Sequence, residues 1–415
     1  MFQSVLPVRS LLLAILLLMG GSGFMTTLVS LRLEAAGQRA PVIGAVATAY
    51  FIGLTIGSVR VGRVIARVGH IRTFSAVVSL LSASTLAYSL GQNVVWWALL
   101  RLIDGLCVAS VYVCLESWLN DQADPRSRGS VLAAYMIALY AGQAAGQYLL
   151  NLEGAEILPF AVAAMLISLA ALPVALTRMA GPVVAKQAPL SIRRLYHASP
   201  LGFTGVGITG LMLGAFYALG AVYAQRMGMT VSATALFMSF VIAGGVALQW
   251  PLGWLSDRFD RRLVIVGAMA GAALVSAALV AIAGWGVPLM ALGALFGGLA
   301  FALYPLCVAH TNDHLDPQER VGASGGLVLV YSAGAAAGPM TGSVAMLLLG
   351  APGLFAWIGG CAAAGLAFAL LRLLRRAPVP LEQQQPYQIL PRTTPMAAQL
   401  DPLAEPEGKG AQPFV

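Results

Sequence analysis

The chain has 415 residues, of which 59% are hydrophobic and 10% are charged, and its formal net charge is +8. Its mean hydropathy of +0.83 and its low charge lie far outside the range of soluble domains, in which about 25% of residues are charged. The composition excludes a soluble protein and predicts an integral membrane protein. Nucleic-acid binding is not indicated, because the basic residues are divided among short loops without an aromatic platform.

Twelve apolar runs are long enough to cross a bilayer as helices, which takes about 20 residues each. In chain order they are 10–31, 41–62, 73–90, 96–119, 129–150, 157–177, 200–224, 232–256, 263–284, 288–311, 321–348 and 353–373. We therefore predict an all-α integral membrane protein with 12 transmembrane helices. The first run is not interpreted as a cleaved secretory signal, because its apolar core exceeds the ~7 to 15 residues of such a signal.

Two segments differ in composition from these runs. Residues 178–199 contain two prolines and four basic side chains, and we predict that they form a cytoplasmic linker. Residues 377–415 are rich in proline, glutamine and isolated charges, a composition that buries too little apolar surface to become ordered. The expected organisation is an N-terminal six-helix bundle at 1–177, the linker, a C-terminal six-helix bundle at 200–376 and a disordered cytoplasmic tail.

The two halves of the chain match each other at an offset of 192 residues. The matching positions in the first half are Tyr112, Asn120, Asp121, Asp124, Pro125, Arg128, Gly142 and Gly146, and their counterparts are Tyr304, Asn312, Asp313, Asp316, Pro317, Arg320, Gly334 and Gly338. This period is too long for a solenoid unit of ~20 to 50 residues. Duplicated helix bundles are typical of secondary transporters, so we predict two pseudo-symmetric bundles that face each other across a cavity.

Lysine and arginine concentrate at one membrane face if both termini lie in the cytoplasm. That face would carry Arg9, Arg60, Arg63, Arg67, Arg72, Arg126, Arg128, Arg178, Lys186, Arg193, Arg194, Arg258, Arg261, Arg262, Arg320, Arg372, Arg375 and Arg376, against Arg32, Arg39 and Arg226 on the other face. Flanking positive charge stays on the cytoplasmic side. We therefore predict a multi-pass protein of the cell inner (plasma) membrane with both termini in the cytoplasm.

No sequence motif indicates an enzyme or a metal site. The four cysteines lie in apolar runs without CxxC spacing, which argues against both a disulfide framework and a zinc site. His310 and His314 are interpreted as part of a hydrated helix end. A nucleotide-binding Walker loop is missing. We predict no cofactor other than a proton gradient, and a chain that functions as a monomer.

Two loops at equivalent places in the halves carry a motif. The loop between the eighth and ninth runs reads GWLSDRFDRR, with Gly253, Asp257, Arg258 and Arg262 at its defining positions. The loop between the second and third runs reads GRVIARVGHIR, and it keeps Gly62 and Arg67 but has Ala66 in place of an acid. The loop between the eighth and ninth runs resembles the G-x-x-x-D-R-x-G-R-R loop of the major facilitator superfamily, with Asp260 in place of the second glycine.

Three membrane runs extend this resemblance. The fourth has Arg101 and Gly105, as in the family's R-x-x-x-G element, and the eleventh has a G-x-x-x-G-P-x-x-G element made of Gly334, Gly338, Pro339 and Gly342. The fifth has Gln147 where the form linked to drug/proton antiporters has proline, which weakens an interpretation as an efflux pump. The run from Glu116 to Gly146 is similar to the YcaD-type branch. The resemblance covers residues 1 to 376 and implies alternating-access transport.

The loop acid and the glycines each have a physical interpretation. An aspartate at a helix N-terminus gains ~0.3 to 1 kcal/mol when exposed and ~2 kcal/mol when partly buried. We predict that Asp257 latches onto the start of the fifth run, near Arg126 and Arg128, and that Ala66 cannot make the mirror contact. The alternative is that both loops only set topology. Gly334, Gly338 and Pro339 are predicted to pack closely at the bundle interface.

Three charged residues lie inside the predicted bilayer, all on the fourth run: Arg101, Asp104 and Glu116. Each costs at least ~2.5 to 3.5 kcal/mol to insert and tends to face a cavity or a partner. Arg101 and Asp104 share one helical face, whereas Glu116 lies ~22 Å further along the axis. Either acid could carry a proton while Arg101 receives an anionic group, or the first two form a static ion pair and Glu116 reaches the membrane edge.

Other polar residues of the first half lack polar counterparts. Gln143 and Gln147 fall on Ala335 and Pro339 at the 192-residue offset. Tyr112, Tyr135 and Tyr304 are further candidates to line the cavity, although each alone is interpretable as packing. We predict a proton-coupled secondary transporter of a small-molecule substrate in the lipid bilayer. The alternatives are a facilitated uniporter, a non-transporting sensor or scaffold, and a lipid flippase.

Overall fold

The computed structural model describes residues 8–123, 127–177, 190–282, 286–375 and 378–394. The helices are α1 (Arg9–Ser22), α2 (Met25–Ala35), α3 (Ala40–Val68), α4 (His70–Ala87), α5 (Val94–Gln122), α6 (Arg128–Gly146), α7 (Leu158–Leu169), α8 (Ala171–Ala175), α9 (Ile192–Ala198), α10 (Pro200–Arg226), α11 (Val231–Ser256), α12 (Arg261–Ala281), α13 (Val287–Asn312), α14 (Arg320–Leu349) and α15 (Gly353–Arg375). Short 3-10 turns lie at Tyr88–Leu90, Gln147–Asn151, Pro317–Glu319 and Leu381–Gln383.

The predicted all-α membrane fold is confirmed. Within the described ranges, 11 helices are long and apolar enough to cross a membrane. The fifth predicted run is also helical: α6 continues as the 3-10 turn Gln147–Asn151. It is less apolar than the other spans because Tyr135, Tyr140 and Gln143 interrupt its hydrophobic residues. The first span is built from α1 and α2, which are separated at Gly23 and Phe24.

Polar caps begin several helices at the membrane ends. The Asn93 side chain accepts hydrogen bonds from Val95 N at 2.9 Å and Trp96 N at 3.2 Å at the start of α5. Ser199 and Thr230 play the same role for α10 and α11. Such caps satisfy N–H groups that have no partner within the helix, so these three spans begin directly after a polar side chain.

Each half of the chain packs as its own bundle. Helices α1 to α8 contact one another in the first half, and α10 to α15 do so in the second. Helices α3 and α5 cross closely in the first bundle: a Cβ on Gly53 would meet the Leu102 carbonyl, and one on Gly105 would meet the Tyr50 carbonyl. Since only glycine permits this approach, these residues fix α5 deep in the bundle.

The membrane ends of the helices define two faces of the molecule. The basic face carries the loops around residues 69, 122–123, 127–128, 256–261 and 312–320. The opposite face carries those around 35–40, 90–94, 226–231 and 349–353. Near the opposite face the bundles are bonded to each other. Ser30 Oγ donates to the Ala218 carbonyl at 2.8 Å, and Arg226 makes two hydrogen bonds to Glu34, at 2.7 and 2.8 Å. The passage between the bundles is therefore closed at this face.

The described parts of the linker and the tail contact the helices at the basic face and between the bundles. Residues 178–189 of the predicted linker and 395–415 of the predicted tail lie outside the described residues. The rest of the linker includes α9, and Leu190 N donates to the Gly322 carbonyl at 2.9 Å. Residues 378–394 differ from the expected disordered tail, because they run into the space between the bundles and make hydrogen bonds there. The composition of the tail could not predict this path, because the hydrogen-bond partners of the tail lie on helices that are distant in the sequence.

Candidate functional site

A central cavity lies between the two bundles. It encloses about 890 Å³ of space not occupied by atoms, its mouth included. The first bundle and the second bundle both contribute to its wall, and so does the tail. Its lining includes Met19, Ser22, Gly23, Thr26, Tyr50, Phe51, Leu54, Tyr112, Met136, Leu139, Tyr140, Gln143, Tyr217, Tyr331, Ser332, Ala335, Pro391, Arg392 and Thr393. A mixture of aromatic walls and few polar groups suits a small organic solute.

The wall formed by the second bundle is aromatic. The ring of Phe301, which is buried and not itself part of the lining, lies 6.1 Å from that of the lining residue Tyr217 and 5.8 Å from that of Tyr140 of the first bundle. Arg392 of the tail points into this wall: its guanidinium carbon lies 4.4 Å from the centre of the Phe301 ring and 5.7 Å from that of Tyr331. Its Nη2 donates to the Tyr217 hydroxyl at 3.2 Å. These distances fit a cation–π site.

Glu116 lies in the first bundle near the basic end of α5 and is fully buried. Tyr135 OH donates to its Oε1 at 3.0 Å. The hydroxyl groups of Thr393 and Thr394 donate to Oε1 and Oε2, respectively. All three donors are neutral, and no ion pair to Glu116 occurs among the described residues. The carboxylate therefore has hydrogen-bond partners but no compensating cation.

Arg101 and Asp104 form a buried cluster toward the opposite end of α5. Asp104 accepts hydrogen bonds from Ser84 Oγ at 2.7 Å, from Tyr88 OH at 2.6 Å and from Arg101 Nη1 at 3.4 Å. Arg101 Nη2 also donates to Thr26 Oγ1 at 2.6 Å. Thr26 lines the cavity, but neither Arg101 nor Asp104 does. The arrangement corresponds to the static ion pair that the sequence left as one alternative.

The guanidinium of Arg101 also packs against the cavity wall. Its central carbon lies 4.3 Å from the centre of the Tyr50 ring, which does line the cavity. A solute in the cavity would meet the Tyr50 ring and the Thr26 hydroxyl before it met the charge. Arg101 is thus placed behind the wall, where it can support the two residues that a solute would touch.

The remaining candidates of the first bundle are divided between the cavity and the helix packing. Tyr112 and Gln143 both line the cavity, and the Tyr112 hydroxyl lies 3.2 Å from Met19 Sδ. Tyr135 reaches Glu116 instead. Gln147 is buried in the 3-10 turn after α6. The side-chain carbonyl oxygens of Gln143 and Gln147 are buried and lack hydrogen-bond partners within the described part of the chain.

Tyr304 does not line the cavity directly. It is buried on α13, and its ring makes an edge-to-face contact with Tyr331 at 5.4 Å. Tyr331 lies in the wall. Tyr304 therefore supports the aromatic wall from behind, much as Arg101 supports Tyr50.

The loop motif contacts the tail. Asp257 Oδ1 accepts hydrogen bonds from Tyr387 N at 2.8 Å and from Arg261 Nη2 at 3.2 Å. The sequence had instead predicted a contact between Asp257 and the start of the fifth span. Arg261 Nη1 pairs with Asp313 at 2.6 Å, and its Nη2 donates to the Gln385 carbonyl at 2.6 Å. Arg126, one of the predicted partners, lies outside the described residues. The motif thus organises a cluster at the mouth of the cavity.

Other motif residues have local roles. Arg258 lies over the Trp254 ring at 3.9 Å, and Arg262 Nη2 pairs with Asp260 Oδ2 at 2.6 Å. A Cβ on Gly253 would overlap the Tyr387 ring, so this glycine makes room for the tail. In the equivalent loop of the first half, Gly62 faces open space and Arg67 is exposed.

The glycines of the eleventh span pack within the second bundle. A Cβ on Gly334 or Gly338 would meet carbonyl groups of α10. This differs in place from the expected packing between bundles. That contact is made instead by the Pro339 carbonyl, which lies against Gly44 of α3. The close packing has the predicted cause, namely small residues on facing helices.

Sequence reasoning missed the contribution of the tail to the site. Arg392, Thr393 and Thr394 occupy positions near the aromatic wall and Glu116. The available signal was local: residues 386–392 read PYQILPR, a short aromatic and apolar stretch within an otherwise polar segment. Phe301 was overlooked as well, because nothing distinguishes it from other aromatic residues of an apolar span. No group of three metal-ligating side chains occurs in the ranges described.

Comparison with known proteins agrees with this architecture. Residues 11–285 and 202–398 match the family model described as Major Facilitator Superfamily. The chain is 31% identical over 347 residues to the uncharacterised MFS-type transporter YcaD of Salmonella dublin, covering 82% of this chain and 89% of that protein. It is 30% identical over 385 residues to an uncharacterised MFS-type transporter of Yersinia pestis, covering 92% and 98%.

Solved structures share the fold. The crystal structure of the nucleoside transporter NupG superposes with a TM-score of 0.71 at 16% identity, covering 89% of this chain and 99% of that one. A bacterial homolog of the human lysosomal transporter Spinster, in an inward-facing and occupied conformation, gives a TM-score of 0.72 at 16% identity, covering 92% and 98%. The family match and the relatives show that this chain belongs to the major facilitator superfamily, a family of multi-pass membrane transporters.

Proposed function

We propose that this protein is a secondary active transporter that carries a small organic solute by alternating access and couples this movement to a proton on Glu116. The membership of the chain in a family of transporters, which are not enzymes, supplies the general function. The cavity between the bundles supplies a binding site, with Gln143 and the aromatic wall as its solute contacts. Rocking of the bundles about this site would expose it to one side at a time.

The observation that supports proton coupling is the environment of Glu116. Its carboxylate is fully buried and receives hydrogen bonds from neutral hydroxyl groups only, within the described residues. An uncompensated charge inside a membrane costs at least ~2.5 to 3.5 kcal/mol. Burial of this kind favours the neutral, protonated carboxyl group. Glu116 is therefore suited to bind a proton before the cavity closes and to release it when water returns.

Asp104 is less suited to this task. It has a direct ion pair with Arg101 and two further hydrogen-bond donors, Ser84 and Tyr88. A cation at hydrogen-bonding distance stabilises the charged carboxylate. Because Asp104 has a direct cationic partner and Glu116 has none among the described residues, we assign Asp104 to structure and Glu116 to coupling.

The position of Glu116 on α5 fits access from the basic face. It lies six residues before Gln122, the last residue of the helix, and so ~9 Å from that end at ~1.5 Å per residue. With the opposite face closed by the Glu34–Arg226 pair, water would reach the carboxyl group from the basic face. We infer from the positive-inside rule that the basic face is cytoplasmic, in an inner membrane, and that one chain suffices for transport.

The test begins with purified full-length protein, a metabolite thermal-shift screen and uptake of the hit compound into proteoliposomes. We expect Glu116→Gln to abolish accumulation driven by a pH gradient, because the amide mimics a permanently protonated acid. The same variant should retain counterflow, the exchange of labelled for unlabelled solute, which needs no net proton movement. Tyr135→Phe removes one hydrogen-bond donor to Glu116 and should affect accumulation less than Glu116→Gln does.

The matched control is the same glutamate-to-glutamine change of a partly exposed carboxylate at the basic face, Glu319→Gln, whose surface pair with Arg194 contributes little to stability. It should keep both accumulation and counterflow. Accumulation by Glu116→Gln at the wild-type level would refute the coupling role, and wild-type uptake that is insensitive to the pH gradient would identify a facilitated uniporter.

A further inference from the structure

The C-terminal segment 385–394 follows a continuous path from the mouth of the cavity to its centre. After α15 ends at Arg375, the chain forms the turn Leu381–Gln383 at the basic face. Leu390 and Thr394 are buried, and Pro391, Arg392 and Thr393 form part of the cavity lining. The protein thus places part of its own chain where the proposed function requires a solute.

The mouth of the cavity holds this segment by its backbone. Gln385 N donates to Asp313 Oδ1 at 2.8 Å, and the Gln385 carbonyl accepts from Arg261 Nη2 at 2.6 Å. Two residues on, Tyr387 N donates to Asp257 Oδ1 at 2.8 Å. Hydrogen bonds to charged groups contribute more than neutral ones. Because Asp257, Asp313 and Arg261 bond to backbone groups of the segment, they hold it in one register.

Inside the cavity the segment uses its side chains. Arg392 stacks on Phe301 and donates to Tyr217, both of the second bundle. Thr393 and Thr394 donate to Glu116 of the first bundle. No carboxylate pairs with Arg392 within the described ranges. The aromatic wall therefore receives the cation through its ring faces and a phenol oxygen, a mode that organic cations share.

We propose that residues 385–394 are a tethered plug which occupies the transport cavity, held by a subsite for organic cations that Arg392 fills. The plug bonds to both bundles, so the basic face cannot close while it is in place. It must leave before a solute enters and before the bundles rock. This proposal rests on the proposed function, since it takes the same cavity as the solute site, and it predicts a solute that carries a cationic group.

The test measures access to the cavity and requires no transport. Ser22 lines the cavity and is partly exposed, so Ser22→Cys in the full-length chain reports reagent entry. The parent protein gives the background, because the cysteines at 107, 114, 307 and 361 are buried. Two methanethiosulfonate reagents of similar size are compared, one bearing trimethylammonium and the other sulfonate. A second protein adds the changes Arg392→Ala, Thr393→Ala and Thr394→Ala to release the plug.

We expect release of the plug to accelerate labelling by the cationic reagent at least about tenfold, because a cation–π contact and several hydrogen bonds are lost together. The anionic reagent should gain much less. Arg392→Lys alone, which keeps the cation, should remain protected. A synthetic peptide of residues 385–394 should restore protection to the released variant, and a peptide with alanine at the arginine position should not.

Equal labelling of the plugged and released proteins would overturn the plug. Equal acceleration by the two reagents would overturn the cation subsite. Loss of structure in the released variant is detected by its elution profile and thermal unfolding, and protection by the added peptide can be seen only in a folded cavity. Since none of these readouts involves a proton gradient, failure here and failure of Glu116→Gln in transport are separate outcomes.

Discussion

The buried Arg101–Asp104 pair provides a quantitative test of the structural role assigned to it. In the structure Asp104 accepts from Ser84, Tyr88 and Arg101, and all of these groups lie inside the first bundle. Asp104→Asn keeps the shape of the side chain but removes its charge. Arg101 would then retain a hydrogen bond to Thr26 and no anionic partner in the described part of the chain.

Removal of one partner from a buried ion pair destabilises a protein by about 3–5 kcal/mol, since it leaves an uncompensated charge. The Tyr50 ring, 4.3 Å from the guanidinium of Arg101, offsets about 0.5–2 kcal/mol of cation desolvation. We therefore expect a loss near the lower limit, about 3 kcal/mol. Asp104→Asn should therefore unfold at a lower temperature than wild type.

The assay is thermal unfolding of purified protein in detergent, followed by tryptophan fluorescence. The double change Arg101→Met with Asp104→Leu should recover most of the loss, because apolar replacement of a buried pair is often neutral or stabilising. Thr26→Val, which removes one hydrogen bond to the guanidinium, should fall between wild type and Asp104→Asn. The reasoning fails if Asp104→Asn unfolds at the wild-type midpoint, or if the double variant is no more stable than the single one.

Two further predictions concern the loops at the two faces. Glu34→Gln should weaken the pair with Arg226 that joins the bundles at the opposite face. The free energy of unfolding should change by no more than about 1 kcal/mol, but distances between spin labels placed across that face should increase. Unchanged distances would contradict the closure assigned to the pair. Burial raises the pKa of Asp260, but hydrogen bonds from Arg262 outweigh it and hold the pKa below its usual value. The stability that ionised Asp260 contributes is therefore present above about pH 4 and is lost as pH falls through the lowered pKa. Between pH 7 and pH 3 the unfolding midpoint should fall further in wild type than in Asp260→Asn. Equal falls in the two proteins would contradict this.

The loop motif can be recognised from local sequence, but the residues that it contacts cannot. Gly253 and Asp257 were singled out by their spacing, which is a property of the chain alone. In the structure both residues contact Tyr387, which lies 130 positions from Asp257. No periodicity or offset relates these positions, so sequence reasoning had no means to pair them.

The three intramembrane charges show the same division. The sequence located Arg101, Asp104 and Glu116 on one helix and left open which of them pair, since spacing shows only which side chains share a face. The decision depends on neighbours from other helices: Ser84 and Tyr88 surround Asp104, whereas Tyr135 and the tail threonines surround Glu116. We assign one acid to structure and the other to coupling for that reason.

By itself the sequence determined the class, the spans and the duplicated architecture, because the bilayer imposes long apolar helices and each helix satisfies its own backbone hydrogen bonds. Only the tertiary structure decided what fills the cavity. The composition of residues 378–394 gives no reason for order. Order arises because Asp257, Arg261 and Asp313 meet at the mouth of the cavity and hold the backbone of the tail there.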